Sequence, residues 1–272
     1  MADTTNELME FATCSDRGLV RECNEDSFFA SAELGLWVVA DGMGGHGGGD
    51  VASRIATEKI AAACRAGQTL EQAIHSAHVA MVNAARTGAG SPQMGTTVVA
   101  LQSRGAKYQI VWAGDSRAYV WNGQLTQLSK DHSHVQQQID AGKISGQQAF
   151  GHPERSRITR CLGPANPDAL ELATVTRHWK SGEKLLLCSD GLHGEVPQHV
   201  MANILASNPD NDSAVQKLRD IALESGGNDN VTVCLVSAPQ QAVQAARAAR
   251  RWGMVMGIVL LVIAAIAVLG IR

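Results

Sequence analysis

Residues 36–60, LWVVADGMGGHGGGDVASRIATEKI, run from an apolar strand-like segment through a glycine-rich loop into a helix-like one. Gly42, Gly44 and Gly47 satisfy G-x-G-x-x-G, in the place where a dinucleotide fingerprint belongs. Asp41 argues against that reading, because a carboxylate there would aim negative charge at the pyrophosphate the glycines are meant to cradle. A Rossmann unit also needs a second strand soon after the helix, closing on an acid for the ribose, whereas residues 51–86 keep a helical pattern almost throughout. The loop asks for a cation instead.

Similar arrangements return along the chain. VWAGDSR puts Asp115 after a strand-like run, LLLCSDGL puts Asp190 after another, and GGNDNVTVCLV puts Asp229 just before a third. One Asp-Gly alone is usually a turn. Four such aspartates converging on one rim of a sheet offer the carboxylate and carbonyl oxygens that hold Mg²⁺ or Mn²⁺, and predict a metal centre of two ions.

Composition narrows the class. The 272 residues are 45% hydrophobic, 18% charged and 4% aromatic, an ordinary globular body with ample length for a core. A net charge of -3, without a Lys/Arg run, gives no electrostatic footprint for nucleic acid. The six cysteines form no C-x-x-C pair, and none is followed six residues later by Arg, so thiolate zinc sites and cysteine-based phosphatase chemistry are unsupported. The polar, acidic start of the chain is unlike a signal peptide, which suits a cytosolic body with reduced thiols.

Up to residue 238 the apolar runs LWVVA, TTVVAL, YQIVWA, AYVW, KLLLCS and VTVCLV read as strands. Residues 51–65, 70–86, 199–206 and 212–224 read as helices. The strands within 96–121 follow one another without helices, which predicts a layered α+β domain. Residues 239–252 form a basic linker with Arg247, Arg250, Arg251 and Trp252. Residues 253–271, GMVMGIVLLVIAAIAVLGI, carry no charge and as a helix would span roughly 28 Å, the thickness of a bilayer's hydrocarbon. That predicts one C-terminal transmembrane helix in the inner membrane, and the basic flank places the body on the cytoplasmic side.

RECNED, VVADGMGGHGGGDVAS, GTTVVAL, WAGDSRAYV, LTQLSKDHS, ITRCLG, LLLCSDGL and NDNVTV occur in one order. In that order they resemble the metal-dependent protein phosphatases of the type 2C class, the bacterial members most, over nearly all of the body. The resemblance implies a four-layer αββα sandwich, two antiparallel sheets flanked by helices, with two Mn²⁺ or Mg²⁺ ions in a cleft at one end. It implies that Asp41 bridges both ions, that Gly42 gives its carbonyl to one, and that Asp190 and Asp229 complete the other's shell. Asp26, and Glu25 less directly, would act through waters on the metals, Asp115 would hold a weaker third ion, and Arg21 would receive the substrate phosphate.

The implied activity is hydrolysis of phosphoserine and phosphothreonine in proteins by a metal-activated water, opposing a bacterial Ser/Thr kinase. A membrane-tethered pseudophosphatase that only binds partners is the alternative, disfavoured because Arg21, Asp41, Asp190 and Asp229 are all present. One departure is Met43, where eukaryotic relatives have a His that donates a proton to the leaving oxygen; His46 is nearby in sequence, and leaving-group protonation stays unassigned. Residues 131–163 resemble the family's substrate-selecting flap. Their His132, His134 and His152 lack a zinc spacing, and His75 and His78 on one helical stretch read as surface residues.

Overall fold

The computed structural model describes residues 9–44, 48–163 and 170–239. Successive side chains of β3 (Leu36–Met43) enter two different cores. Leu36, Val38 and Ala40 pack with buried residues of α1 (Gly49–Arg65) and α2 (Leu70–Thr87). Trp37 and Val39 instead meet Leu185, Leu187, Cys234 and Val236 of a second sheet. A strand covered on both faces needs apolar residues at every position, which is why LWVVA shows no alternation. The second sheet repeats the device. In β10 (Lys184–Cys188) and β11 (Val231–Ser237), Leu186, Cys188, Val233 and Leu235 face α6 (Gln198–Ser207) and α7 (Asn211–Glu224), while their neighbours fill the space between the sheets.

The first sheet runs β2 (Asp26–Ser31), β3, β5 (Val98–Arg104), β6 (Lys107–Ala113), β9 (Ala173–His178), with the short β4 (Gly95–Thr96) paired to β3. The second runs β1 (Phe11–Asp16), β11, β10, β7 (Arg117–Trp121), β8 (Leu125–Gln127). All pairings are antiparallel. The layers are therefore helices, sheet, sheet, helices, the α+β sandwich expected. The expected helices all form, each within two residues of its expected start. The four edge strands β1, β2, β8 and β9 were not among the expected ones.

Register brings the acids to one end. Asp26 lies directly opposite Asp41 across β2 and β3. In the second sheet Cys188 pairs with both Arg117 and Val233, so Asp190, Asp115 and the approach to Asp229 leave their strands on the same side. Residues 131–163 form a flap beside this end. It carries α3 (His134–Asp140) and α4 (Gly146–Phe150), and its root is stitched by bridges between Ser133 and Ile158 and between Thr96 and Leu162.

One expectation is corrected. His78 is buried in α2, where its Nδ1 accepts a hydrogen bond from the Gly163 N–H at 3.1 Å and so anchors the end of the flap. A half-apolar imidazole suits that place, since Gly163 carries a positive φ and leaves its N–H turned inward. The predicted membrane helix, residues 253–271, lies outside the described residues, as do His46 and all of the linker but Pro239. Among the described residues no helix is long and apolar enough to cross a membrane.

Candidate metal centre

Asp41 sits near the end of β3, where its backbone is held on both sides. Thr97 N–H and the Thr96 hydroxyl donate to its carbonyl, each at 2.8 Å, and its N–H donates to Thr97 Oγ1 at 3.2 Å. Gly42 follows at a place that admits no side chain, since a Cβ would stand 2.0 Å from the Gly49 carbonyl oxygen and 2.6 Å from that of Glu25. Asp26 is steadied by the Ser189 hydroxyl, which donates to Oδ2 at 2.7 Å. Asp190 opens the short helix α5 (Asp190–His193). Asp115 is buried, and His193 Nε2 lies 2.9 Å from its backbone carbonyl. Glu25 turns another way: its carboxyl packs against Gly49 at the N-terminus of α1, a favourable end for an anion.

These carboxylates repel one another in a confined space. Burial, then Asp26, Asp190, Asp115 and Asp229, push Asp41 well above the usual carboxylate range. Asp26 is pushed up to about 8, chiefly by burial, against hydrogen bonds from Thr232 and Ser189. Asp190 rises to about 6 through burial and Asp229, while a hydrogen bond with Asp41 and the charges of Arg155 and Arg21 oppose the rise. Asp115 is raised by burial, Asp190 and Asp131. Asp26 Oδ1 and Asp190 Oδ1 are buried without a hydrogen-bond partner. Like charges directly opposite in a strand pair are destabilising, and buried polar atoms without partners are costly.

Arg21 partly answers this charge. Its Nη2 donates to Asp229 Oδ2 at 2.7 Å, and the half-exposed guanidinium lines a cleft of about 860 Å³ together with Asp115, Asp190 and Asp229. The loop that carries Arg21 is organised by Asn230, which was not among the residues singled out from the sequence. Asn230 Nδ2 donates to the carbonyls of Arg17 and Cys23, at 2.8 and 2.9 Å, and Oδ1 accepts from the Glu25 N–H at 2.7 Å. The Asn in NDNVTV was the available signal: a carboxamide can serve donors and acceptors at once, which its neighbouring carboxylate cannot.

The donor set fits divalent cations of the Mg²⁺ or Mn²⁺ kind. It consists of hard oxygens, two of them stranded in the interior, on carboxylates whose repulsion a cation would remove. Among the described residues no three Asp, Glu, His or Cys side chains are yet arranged so that they could hold a metal ion. Asp229 is instead turned to Arg21, which supplies positive charge at the rim. His132, His134 and His152 have separate partners in Gly114, Glu154 and the Glu154 N–H.

The model of the protein phosphatase 2C family matches residues 19–231, and the chain belongs to that family. The serine/threonine protein phosphatase PstP of Mycobacterium tuberculosis is 36% identical over 236 residues, which are 83% of this chain and 44% of that protein. The chain thus spans less than half the length of this relative. The serine/threonine phosphatase stp of Listeria welshimeri is 35% identical over 241 residues, 84% of this chain and 94% of its own. A crystal structure of the M. tuberculosis phosphatase, PstP/Ppp, superposes with a TM-score of 0.77 at 36% identity, covering 84% of this chain and 98% of that one. The PstP catalytic domain in complex with two manganese ions gives a TM-score of 0.76 at 34% identity, covering 84% and 97%.

Proposed function

We propose that this chain hydrolyses phosphoserine and phosphothreonine in proteins with the help of two bound Mn²⁺ or Mg²⁺ ions. The observation that supports this most is the gathering of five mutually repelling aspartates beside one arginine at a cleft. Asp26, Asp41, the Gly42 carbonyl, Asp190 and Asp229 would hold the pair, and Asp115 a weaker third ion. When bound, such ions supply Lewis acidity, which offsets the charge of a phosphate dianion and makes water acidic enough to react near neutral pH.

The chain's own groups bind and orient. Arg21 has donors beyond the one it gives to Asp229, in a planar fork suited to two phosphate oxygens. Thr96 and Thr97 fix the backbone beneath Asp41, Ser189 fixes Asp26, and Asn230 fixes the loop behind Arg21. Preset dipoles of this kind need not reorganise as charge develops on the phosphoryl group. The substrates would be Ser/Thr-phosphorylated proteins, with a cognate Ser/Thr kinase as the opposing enzyme. Residues 253–271 would tether the body to the cytoplasmic face of the inner membrane, and deleting residues 253–272 should then move the protein to the soluble fraction.

The activity is tested with the full chain on p-nitrophenyl phosphate and a phosphothreonine peptide. Hydrolysis should require Mn²⁺ or Mg²⁺ and stop with a chelator. Turnover that survives complete removal of metal would refute the proposal.

A further inference from the structure

The ladder between β10 and β7 ends at the pair Cys188 and Arg117. Beyond it the two segments part, one into α5 with Asp190 at its start, the other into the turn that carries Asp115. Among the described residues one hydrogen bond then joins them: His193 Nε2 lies 2.9 Å from the Asp115 carbonyl oxygen, and both residues are buried. A carbonyl oxygen only accepts, so Nε2 carries the proton and the imidazole donates. His193 closes the single helical turn that Asp190 opens, and the Gly194 N–H donates to the Asp190 carbonyl at 2.7 Å behind it.

The Asp115 turn has two other supports, and neither reaches α5. The Gly114 N–H donates to His132 Nδ1 at 3.2 Å and the Gly114 carbonyl accepts from the His132 N–H at 2.9 Å, which ties the turn to the root of the flap. Ser116 Oγ lies 2.7 Å from Thr97 Oγ1, the same hydroxyl that accepts from the Asp41 N–H. Thr97 thus sets the turn against Asp41, His132 sets it against the flap, and His193 sets it against the helix of Asp190.

That last link opposes a force. Of the charges around Asp115, that of Asp190 is felt most strongly, and like charges left to themselves spread apart. A divalent ion needs several oxygens brought together, so the spacing of these two carboxylates governs how well one is held there. Resting on the phosphatase reading above, we infer that His193 is a positioning residue: by holding the Asp115 backbone to α5 it sets Asp115 against Asp190 and so fixes the affinity for the weaker, third ion. The imidazole acts through the Asp115 backbone and touches neither ion nor substrate.

The test titrates Mn²⁺ by calorimetry into the metal-stripped full chain, past the tight pair to the weaker ion. His193→Leu keeps bulk and loses the donor, whereas His193→Gln keeps a donor of similar reach. In His193→Leu the weaker ion should bind about 10–100-fold less tightly while the pair keeps its affinity, the loss typical when a group that orients a metal ligand is removed. His193→Gln should recover most of it. Asp115→Asn should lose the weaker ion, and His193→Leu added to it should change metal binding no further. Equal weakening of all ions in His193→Leu, no recovery in His193→Gln, or no weaker ion in the parent overturns the inference, and a pair that still binds in the parent leaves the phosphatase reading intact. Should His193→Leu not fold, the parent carries the test. With Mg²⁺ in place of Mn²⁺, the His193 Nε2–H proton resonance, identified by its absence from His193→Gln, should shift at the Mg²⁺ levels that fill the weaker site; a resonance that ignores those levels overturns the inference. A parent that binds no ion at all removes the phosphatase reading, and the inference with it.

Discussion

Two sets of carboxylates lie at the same end of the sandwich and are treated in opposite ways. Asp131, 8% exposed, accepts three hydrogen bonds from Arg117, at 2.9, 3.0 and 2.7 Å, and one from Gln127 Nε2 at 3.1 Å. Asp26, Asp41 and Asp190 face one another, and two of them strand an oxygen in the interior. The first arrangement ties β7 to the root of the flap and needs nothing from outside. The second costs stability in the bare chain and becomes favourable only when positive charge arrives. Burial alone therefore does not mark the site; burial without a partner does.

The contrast can be broken most sharply at Asp41. Asp41→Asn should lower Mn²⁺-dependent hydrolysis of p-nitrophenyl phosphate on the order of a thousandfold, the loss expected when a central charge in a metal site is removed. In chelator the same variant should melt no lower than the parent, because it relieves repulsion. Asp131→Ala should behave in reverse, losing about 3 kcal/mol in denaturant unfolding because it leaves the Arg117 charge unpaired. If Asp41→Asn destabilises the metal-free protein as much as Asp131→Ala does, the two sets of carboxylates are not different in kind.

A smaller effect is expected from pH. The ordinary aspartate value is 3.8, and Asp190 and Asp26 are raised to about 6 and about 8 in the folded chain. Between those limits the folded state holds protons that the unfolded state has released, so stability is full below about 4 and is lost as pH rises through 6 and 8. In chelator the melting temperature should fall from pH 5 to pH 8.5, and saturating Mn²⁺ should abolish the fall. A melting temperature that rises over this range in chelator would contradict the sign. The smallest effect should come from Asn230→Ala. Loss of its three hydrogen bonds to the loop around Arg21 should destabilise by about 1–3 kcal/mol and raise KM for the phosphopeptide more than it lowers kcat.

The central strands were legible in the sequence because both of their faces are covered: LWVVA, and LLLC within β10, are apolar throughout. All four edge strands escaped. β2, DSFFAS, and β9, ATVTRH, have no fully buried position, and β8 is only three residues long. Asp41, Asp115 and Asp190 were legible because Asp beside Gly recurs at strand ends, and the pairing of Asp26 with Asp41 was not, since register is a property of the sheet rather than of either segment. His78 was misread for the same reason: helical spacing shows which residues share a face, and the flap that covers this face begins more than fifty residues later.

The central claim is that the acidic rim binds divalent cations that quench its own repulsion. Calorimetric titration of Mn²⁺ into the metal-stripped chain near pH 7 tests it most directly. Saturable binding of two ions is predicted, with proton release read from the dependence of the heat on buffer, and with the binding lost or greatly weakened in Asp41→Asn. Absence of saturable binding, or equal binding by Asp41→Asn, would contradict it.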